Sequence, residues 1–239
     1  MKLLLLCLLL TALAVACQAA EAAEKPVAIT DAQLAAAVEA APPCPHADAM
    51  GLSLRLIDYI DCTAADDPHD FMDQGTSSVA EGPAGRYRIT AAHRHAFFAY
   101  RFRAAGKDKP VLIVIEYPDD ADRTINFSTH ESGLSGRSNL DWSLESGVYT
   151  GDPLPLSNTM QYHTFILWAQ DQWPAVLVGN FHRYVHPAAA GRIWVYAIEG
   201  PLPPLDVDAP DPDDQRQLGH FNSLGSYLPI RLYFGLKSP

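Results

Sequence analysis

Val111-Leu112-Ile113-Val114-Ile115 decides the fold. Four of these five apolar residues are β-branched, and no polar residue interrupts them. Such a run reads as a strand buried on both faces, in the middle of a sheet. Outward from it, Leu52–Ile60, Arg86–Thr90, His95–Arg103, Thr124–Ser128, Gln161–Trp168, Val176–Phe181, Arg192–Ile198 and Leu228–Gly235 are also rich in Val, Ile, Tyr, Phe and Trp. Gly, Pro, Asp and Asn punctuate them, as strand ends require. Tyr87-Arg88-Ile89-Thr90 alternates, as expected of a strand with one wet face.

About nine strands with no intervening helices predict an all-β, antiparallel β-sandwich or jelly roll. The one convincing helix comes earlier, over Ala32–Ala40, with Asp31 as its N-cap and Pro42-Pro43 as its stop. No repeat of fixed period is present. Two stretches read as long loops: His130–Asn158, with its glycines and two prolines, and the proline-rich, acidic Pro201–Asp214. Long loops in a compact β domain are functional or disordered, so the first is the site candidate.

The N-terminus predicts export from the cytoplasm. Lys2 precedes the apolar run Leu3–Leu10, too short for a permanent bilayer span, and small residues then lead into Cys17. Ala14-Val15-Ala16-Cys17 resembles the lipobox of bacterial lipoproteins, which implies lipidation of Cys17 and a lipid-anchored envelope protein. Cleavage near Ala20 or Ala22 would give a secreted or periplasmic one. The expected organisation is an export signal over 1–17, a tether and short helix over 18–50, and a β-sandwich domain over 51–239. Net charge is -11, and loss of Lys2 with the signal makes it -12. That balance argues against nucleic acid and against electrostatic membrane binding. With 48% apolar and 19% charged residues, a substantial core is available. Removing Cys7 and Cys17 leaves Cys44 and Cys62, for which one disulfide is the simplest fate in an oxidising compartment.

Phe97-Phe98-Ala99-Tyr100-Arg101-Phe102 and Leu112-Ile113-Val114-Ile115-Glu116-Tyr117-Pro118-Asp119-Asp120 resemble a β-sandwich module of large exported bacterial proteins that often carry glycosidase-like modules. The likeness continues through Thr150–Ser157, Tyr162-His163-Thr164-Phe165 and Ile193-Trp194-Val195-Tyr196, and spans roughly Leu54 to Leu205. It implies a galactose-binding-like jelly roll. The chain lacks a separate catalytic module, so the resemblance transfers no catalytic residue.

Candidate chemistry is sparse. His93 and His95 are spaced to share a strand face and chelate a metal, but no glutamate follows as jelly-roll metal enzymes require. His182 and His186 sit four apart beside Pro187. Gly133-Leu134-Ser135-Gly136-Arg137 departs from a nucleophile elbow at its last position. Glu116, Glu131, Asp141 and Glu145 offer a glycosidase pair only if two of them face each other across a cleft. Asp206, Asp208, Asp211, Asp213 and Asp214 alternate like a calcium loop, but Pro210 and Pro212 stiffen the run and no glycine bends it. No cofactor is called for, although a structural calcium elsewhere is compatible with a jelly roll.

Aromatic residues at loop positions make the stronger argument, because sugar rings stack on Trp and Tyr while amides, carboxylates and Arg fix their hydroxyls. Trp142, Tyr149 and Trp173, with His130, Glu131, Arg137 and Asn139, form the expected ligand-binding set. The sequence therefore predicts a non-catalytic, monomeric module that binds carbohydrate or another envelope component and meets the membrane only through its lipid anchor. The alternatives are a polysaccharide hydrolase or metal-dependent enzyme, and a structural lipoprotein that binds a protein partner.

Overall fold

The computed structural model describes residues 29–47, 51–132, 140–151, 154–181 and 186–202. The export signal with Cys17, the acidic run from Asp206 and the predicted strand Leu228–Gly235 lie outside them.

The described chain is an antiparallel β-sandwich with one helix, α1 (Asp31–Ala40). Its strands are β1 (Ser53–Asp61), β2 (Asp70–Gln74), β3 (Ser77–Gly82), β4 (Gly85–Thr90), β5 (Ala96–Arg101), β6 (Lys109–Pro118), β7 (Arg123–Ser132), β8 (Leu140–Thr150), β9 (Met160–Ala169), β10 (Ala175–Asn180), β11 (Ala189–Ala190) and β12 (Arg192–Glu199). A four-stranded sheet runs β1-β12-β6-β9 and a five-stranded sheet β2-β5-β10-β7-β8, with β11-β4-β3 as a small third sheet.

Pleat alternation builds the layers. Ile113 and Ile115 of β6 meet Phe98, Tyr100, Phe127, Val176 and Val178 between the two large sheets. Leu112 and Val114 point the other way, to an outer cluster with Tyr59, Trp194 and Tyr196. All five residues Val111–Ile115 are fully buried, and β6 is an inner strand, as the apolar run requires. On the far side of the five-stranded sheet, Phe71, Phe97, Ala99, Ala175 and Leu177 form a third cluster. His163 joins the interior from β9. Its ring stacks on Phe127 at 5.1 Å and its Nε2 is hydrogen-bonded to Ser146 Oγ at 2.6 Å.

Several expectations need correction. The helix is capped by Thr30, not Asp31: Thr30 Oγ1 accepts from the Gln33 amide while the Gln33 side chain accepts from the Thr30 amide, a capping box. The expected loop from His130 is largely a hairpin, because β7 runs on to Ser132 and β8 returns over Leu140–Thr150. Gly147 reads as a loop signal, yet it sits in register with Asn126, where a Cβ would lie 2.4 Å from the Ile125 carbonyl. Glycine is there for close backbone approach between paired strands.

The Cys44–Cys62 disulfide is absent, and both cysteines are free thiols. Along the end of β1, Tyr59 faces the outer cluster while Ile60 and then Cys62 face the inter-sheet core. Cys44 packs at the margin of the outer cluster. The four-stranded sheet thus stands between them, and a disulfide needs Cα atoms within about 7 Å on facing sides. Burial raises both thiol pKa values. Brief alkylation of the native protein, read by mass spectrometry, should modify Cys44 in preference to Cys62, with both modified in urea. Reductant should leave the melting temperature unchanged, whereas a drop of several degrees would restore the disulfide.

Candidate functional site

Asp58 lies in β1 at a bulge, where pairing with β12 slips between Leu56 and Asp58. Its carboxylate is fully buried, so its lone pairs must be met by protein. Tyr59 N and His69 Nε2 reach Oδ1 at 2.8 and 2.9 Å, and Arg103 N donates to Oδ2 at 2.6 Å. His69 Nδ1 lies 2.6 Å from Asp67 Oδ1. With a carboxylate oxygen at each ring nitrogen, the imidazole satisfies both only as the two-donor cation. Burial alone would lower its pKa, but the hydrogen bonds and charges of Asp58 and Asp67 outweigh burial and raise it from 6.5 to about 9.

This cluster pins the backbone of Arg103 just beyond β5, and the turn between β9 and β10 pins its side chain. Glu131 Oε1, at the end of β7, accepts from Gln170 N at 2.5 Å and Asp171 N at 3.1 Å. Asp171 Oδ1 then accepts from Trp173 N, and Arg101 Nη1 donates to Trp173 O at 2.6 Å. Held this way, the Trp173 ring lies 5.2 Å from the Arg103 guanidinium carbon, a cation–π contact. With its amide oxygen turned to Arg103, Gln172 accepts from both terminal nitrogens at 2.7 and 2.9 Å.

Arg103 and Gln172 form part of the rim of an open groove of about 620 Å³. Leu34, Ala35 and Val38 of α1 line one wall, and Arg55, Leu56 and Ile57 of β1 lie along it. Ala104, Ala105, Gly106 and Lys107, from the β5–β6 connection, complete it. The volume lies within the usual small-ligand range, and the mixture is apolar surface with a few directed polar groups.

The predicted residues separate. Trp173 backs Arg103, and Glu131 is a fully buried anchor of the Trp173 turn. His130 is buried near the end of β7, and Tyr149 is 45% exposed on β8 opposite Thr124. Trp142 pairs with His130 through the backbone, and its side chain, like Asp141's, is outside the described structure, as are Arg137, Asn139, Ser135 and His182. His93 and His95 are not on a strand: His95 has φ 66° and β5 begins at Ala96, so the shared-face argument fails. Glu116 lies on the outer face of the four-stranded sheet, bonded to Tyr162 and Arg192. Glu145 bonds Asn126 on the outer face of the other sheet. Sequence reasoning passed over Arg103, Lys107 and Gln172, because nothing in their local pattern separates them from surface charge.

No protein-family model matches the chain, and neither does any curated protein. Among solved structures it is similar to a family 35 carbohydrate binding module from Clostridium thermocellum, at 13% identity and TM-score 0.41, covering 59% of this chain and 99% of that one. It is also similar to the CBM22-1 xylan-binding domain of Paenibacillus barcinonensis Xyn10C, at 7% identity and TM-score 0.46, covering 63% and 99%. A third is the Podospora anserina GH26-CBM35 beta-(1,4)-mannanase, at 13% identity and TM-score 0.39, covering 70% and 34%. At such scores these likenesses add nothing to what the strand order already establishes.

His69 and His163 bound the pH range of stability. The His69 contribution is fully present below pH 6.5 and is lost as pH rises through about 9, on the order of 3 kcal/mol for the shift. His163 acts in the opposite sense: burial lowers its pKa to about 4, so stability falls as pH drops from 6.5 towards 4. Urea unfolding from pH 4 to 10 should give a maximum near neutrality. His69→Gln should be less stable and lose the alkaline slope; an unchanged slope would remove His69 as its source.

Proposed function

We propose that this chain is a non-catalytic carbohydrate-binding module, exported, anchored through Cys17 and monomeric, which holds its ligand in the groove between α1, β1 and the β5–β6 connection. The observation that carries the reading is the groove's composition. Ala35, Val38, Leu56 and Ile57 offer apolar surface to the C–H face of a sugar ring, while Arg103, Gln172 and Lys107 offer directed donors for its hydroxyls. Arg103 has five N–H donors, of which Gln172 takes two, leaving the rest of the fork available.

The placement of the acids supports binding over hydrolysis. A glycosidase pair stands roughly 5 to 10 Å apart across one cleft. Glu116 and Glu145 project from opposite outer faces of the sandwich, separated by two sheets that pack about 10 Å apart. Glu131 is committed to the amides of the Trp173 turn.

A second surface remains in play because Tyr149 is exposed on the outer face of the five-stranded sheet. A glycan array of the wild type beside Arg103→Ala/Gln172→Ala and Trp142→Ala/Tyr149→Ala decides between them. Removing two charged or polar contacts should weaken binding at least tenfold in the first variant and leave the second near wild type. The reverse would move the site to the five-stranded sheet. Binding to no glycan would favour an envelope protein partner.

A further inference from the structure

Acidic residues outnumber Lys and Arg by 28 to 17 in this chain, yet the described residues that line one groove include Arg55, Arg103 and Lys107 and no Asp or Glu, with Glu199 reaching it only through its pair with Arg55. The inversion of charge is local and is built from two segments, β1 and the β5–β6 connection. Arg103 is the fixed cation, its guanidinium plane set by Trp173 and Gln172. Lys107 is exposed at the tip of the β5–β6 connection, and the neighbouring acid, Asp108, is engaged by Gln170 Nε2 at 2.6 Å. Arg55 is held differently: Nε donates to Glu199 Oε1 at 2.6 Å, with the two side chains 62% and 50% exposed. An ion pair that exposed is weak and readily exchanged.

Resting on the reading of the groove as a sugar site, we propose that its ligand is a carboxylate-bearing sugar, a uronate, and that Glu199 competes with the ligand's carboxylate for Arg55. Apolar surface takes the ring face, and the preorganised Arg103 fork takes the carboxylate in a bidentate pair. Lys107 adds a mobile point charge. Glu199, the last residue of β12, holds Arg55 and yields it when a second carboxylate arrives.

The test is titration calorimetry with oligomers of galacturonate, glucuronate and mannuronate, their neutral methyl esters and a sulfated galactan oligosaccharide, at low and high salt. The protein is the wild type, Lys107→Ala, Glu199→Gln and Arg103→Ala/Gln172→Ala. Lys107 and Glu199 are exposed, and circular dichroism checks that their variants fold. At least one acid should bind roughly tenfold or more tighter than its ester, and salt should weaken it. Lys107→Ala should lose about fivefold, and Glu199→Gln should gain roughly threefold. Esters that bind as tightly as acids, with binding still abolished by Arg103→Ala/Gln172→Ala, would overturn the charge proposal and leave the sugar groove standing. Binding of only the sulfated oligosaccharide would overturn the carboxylate assignment. No gain in Glu199→Gln would overturn the competition. Sugar binding indifferent to every groove variant would overturn the groove reading itself.

Discussion

A carboxylate with no exposure to water has to be satisfied by protein, and Asp58 is met by three chain segments at once. Its own strand supplies the Tyr59 amide, the approach to β2 supplies His69, and the exit from β5 supplies the Arg103 amide. Removing one partner from such a cluster leaves a buried charge uncompensated, at a cost of several kcal/mol. The cluster therefore acts as a coincidence requirement. Beside it, Arg101 N donates to His69 O, tying β5 to the same loop. The edge of the four-stranded sheet and the edge of the five-stranded sheet are joined here, and the groove wall that carries Arg103 is built on the join.

Strands that carry the core were legible because burial leaves a compositional trace. Val111–Ile115 had to be an inner strand, since no other placement hides five consecutive apolar side chains. Edge strands leave less trace. β2 reads Asp-Phe-Met-Asp-Gln and β3 reads Ser-Ser-Val-Ala-Glu-Gly, with one and no buried residues respectively, so hydrophobic patterning had almost nothing to register. β8 was hidden by the opposite effect, because its glycine answers to a close interstrand contact that only the partner strand reveals. For Cys44 and Cys62, a separation of 18 residues is easily closed by a disulfide loop, but sequence distance carries no information about which side of a sheet each thiol occupies.

The site was legible only in fragments. In the sequence Trp173 and Glu131 read as ligand contacts, and both serve the groove one step removed: Glu131 fixes the turn, the turn fixes Trp173, and Trp173 sets the plane of Arg103. An isolated glutamate in a sequence looks the same whether it meets a sugar hydroxyl or two backbone amides. What distinguishes the cases is burial, and burial of residue 131 depends on residues 170 and 171, far along the chain. The same holds for the cations. Arg55, Arg103 and Lys107 are ordinary surface charges until β1 and the β5–β6 connection are brought together, and only then does their convergence on one groove become visible.

The two walls of the groove differ in how firmly they are held. Arg103 is fixed through its amide, its guanidinium and the ring beneath it. The opposite wall is α1, a helix of ten residues, shorter than an isolated helix needs to persist in water. It stands because Thr30 and Gln33 close a capping box, because Ile29 and Leu34 are buried, and because Trp194 Nε1 donates to Pro42 O at 3.0 Å just beyond its end. The cationic wall is fixed through its own side chain, whereas the apolar wall is held at the ends of the helix and by Leu34. On the proposed reading, the fixed wall would set which charge is recognised and where. A ligand held in the groove as proposed would touch Ala35 and Val38 and would stabilise α1 by the same free energy that the helix contributes to binding.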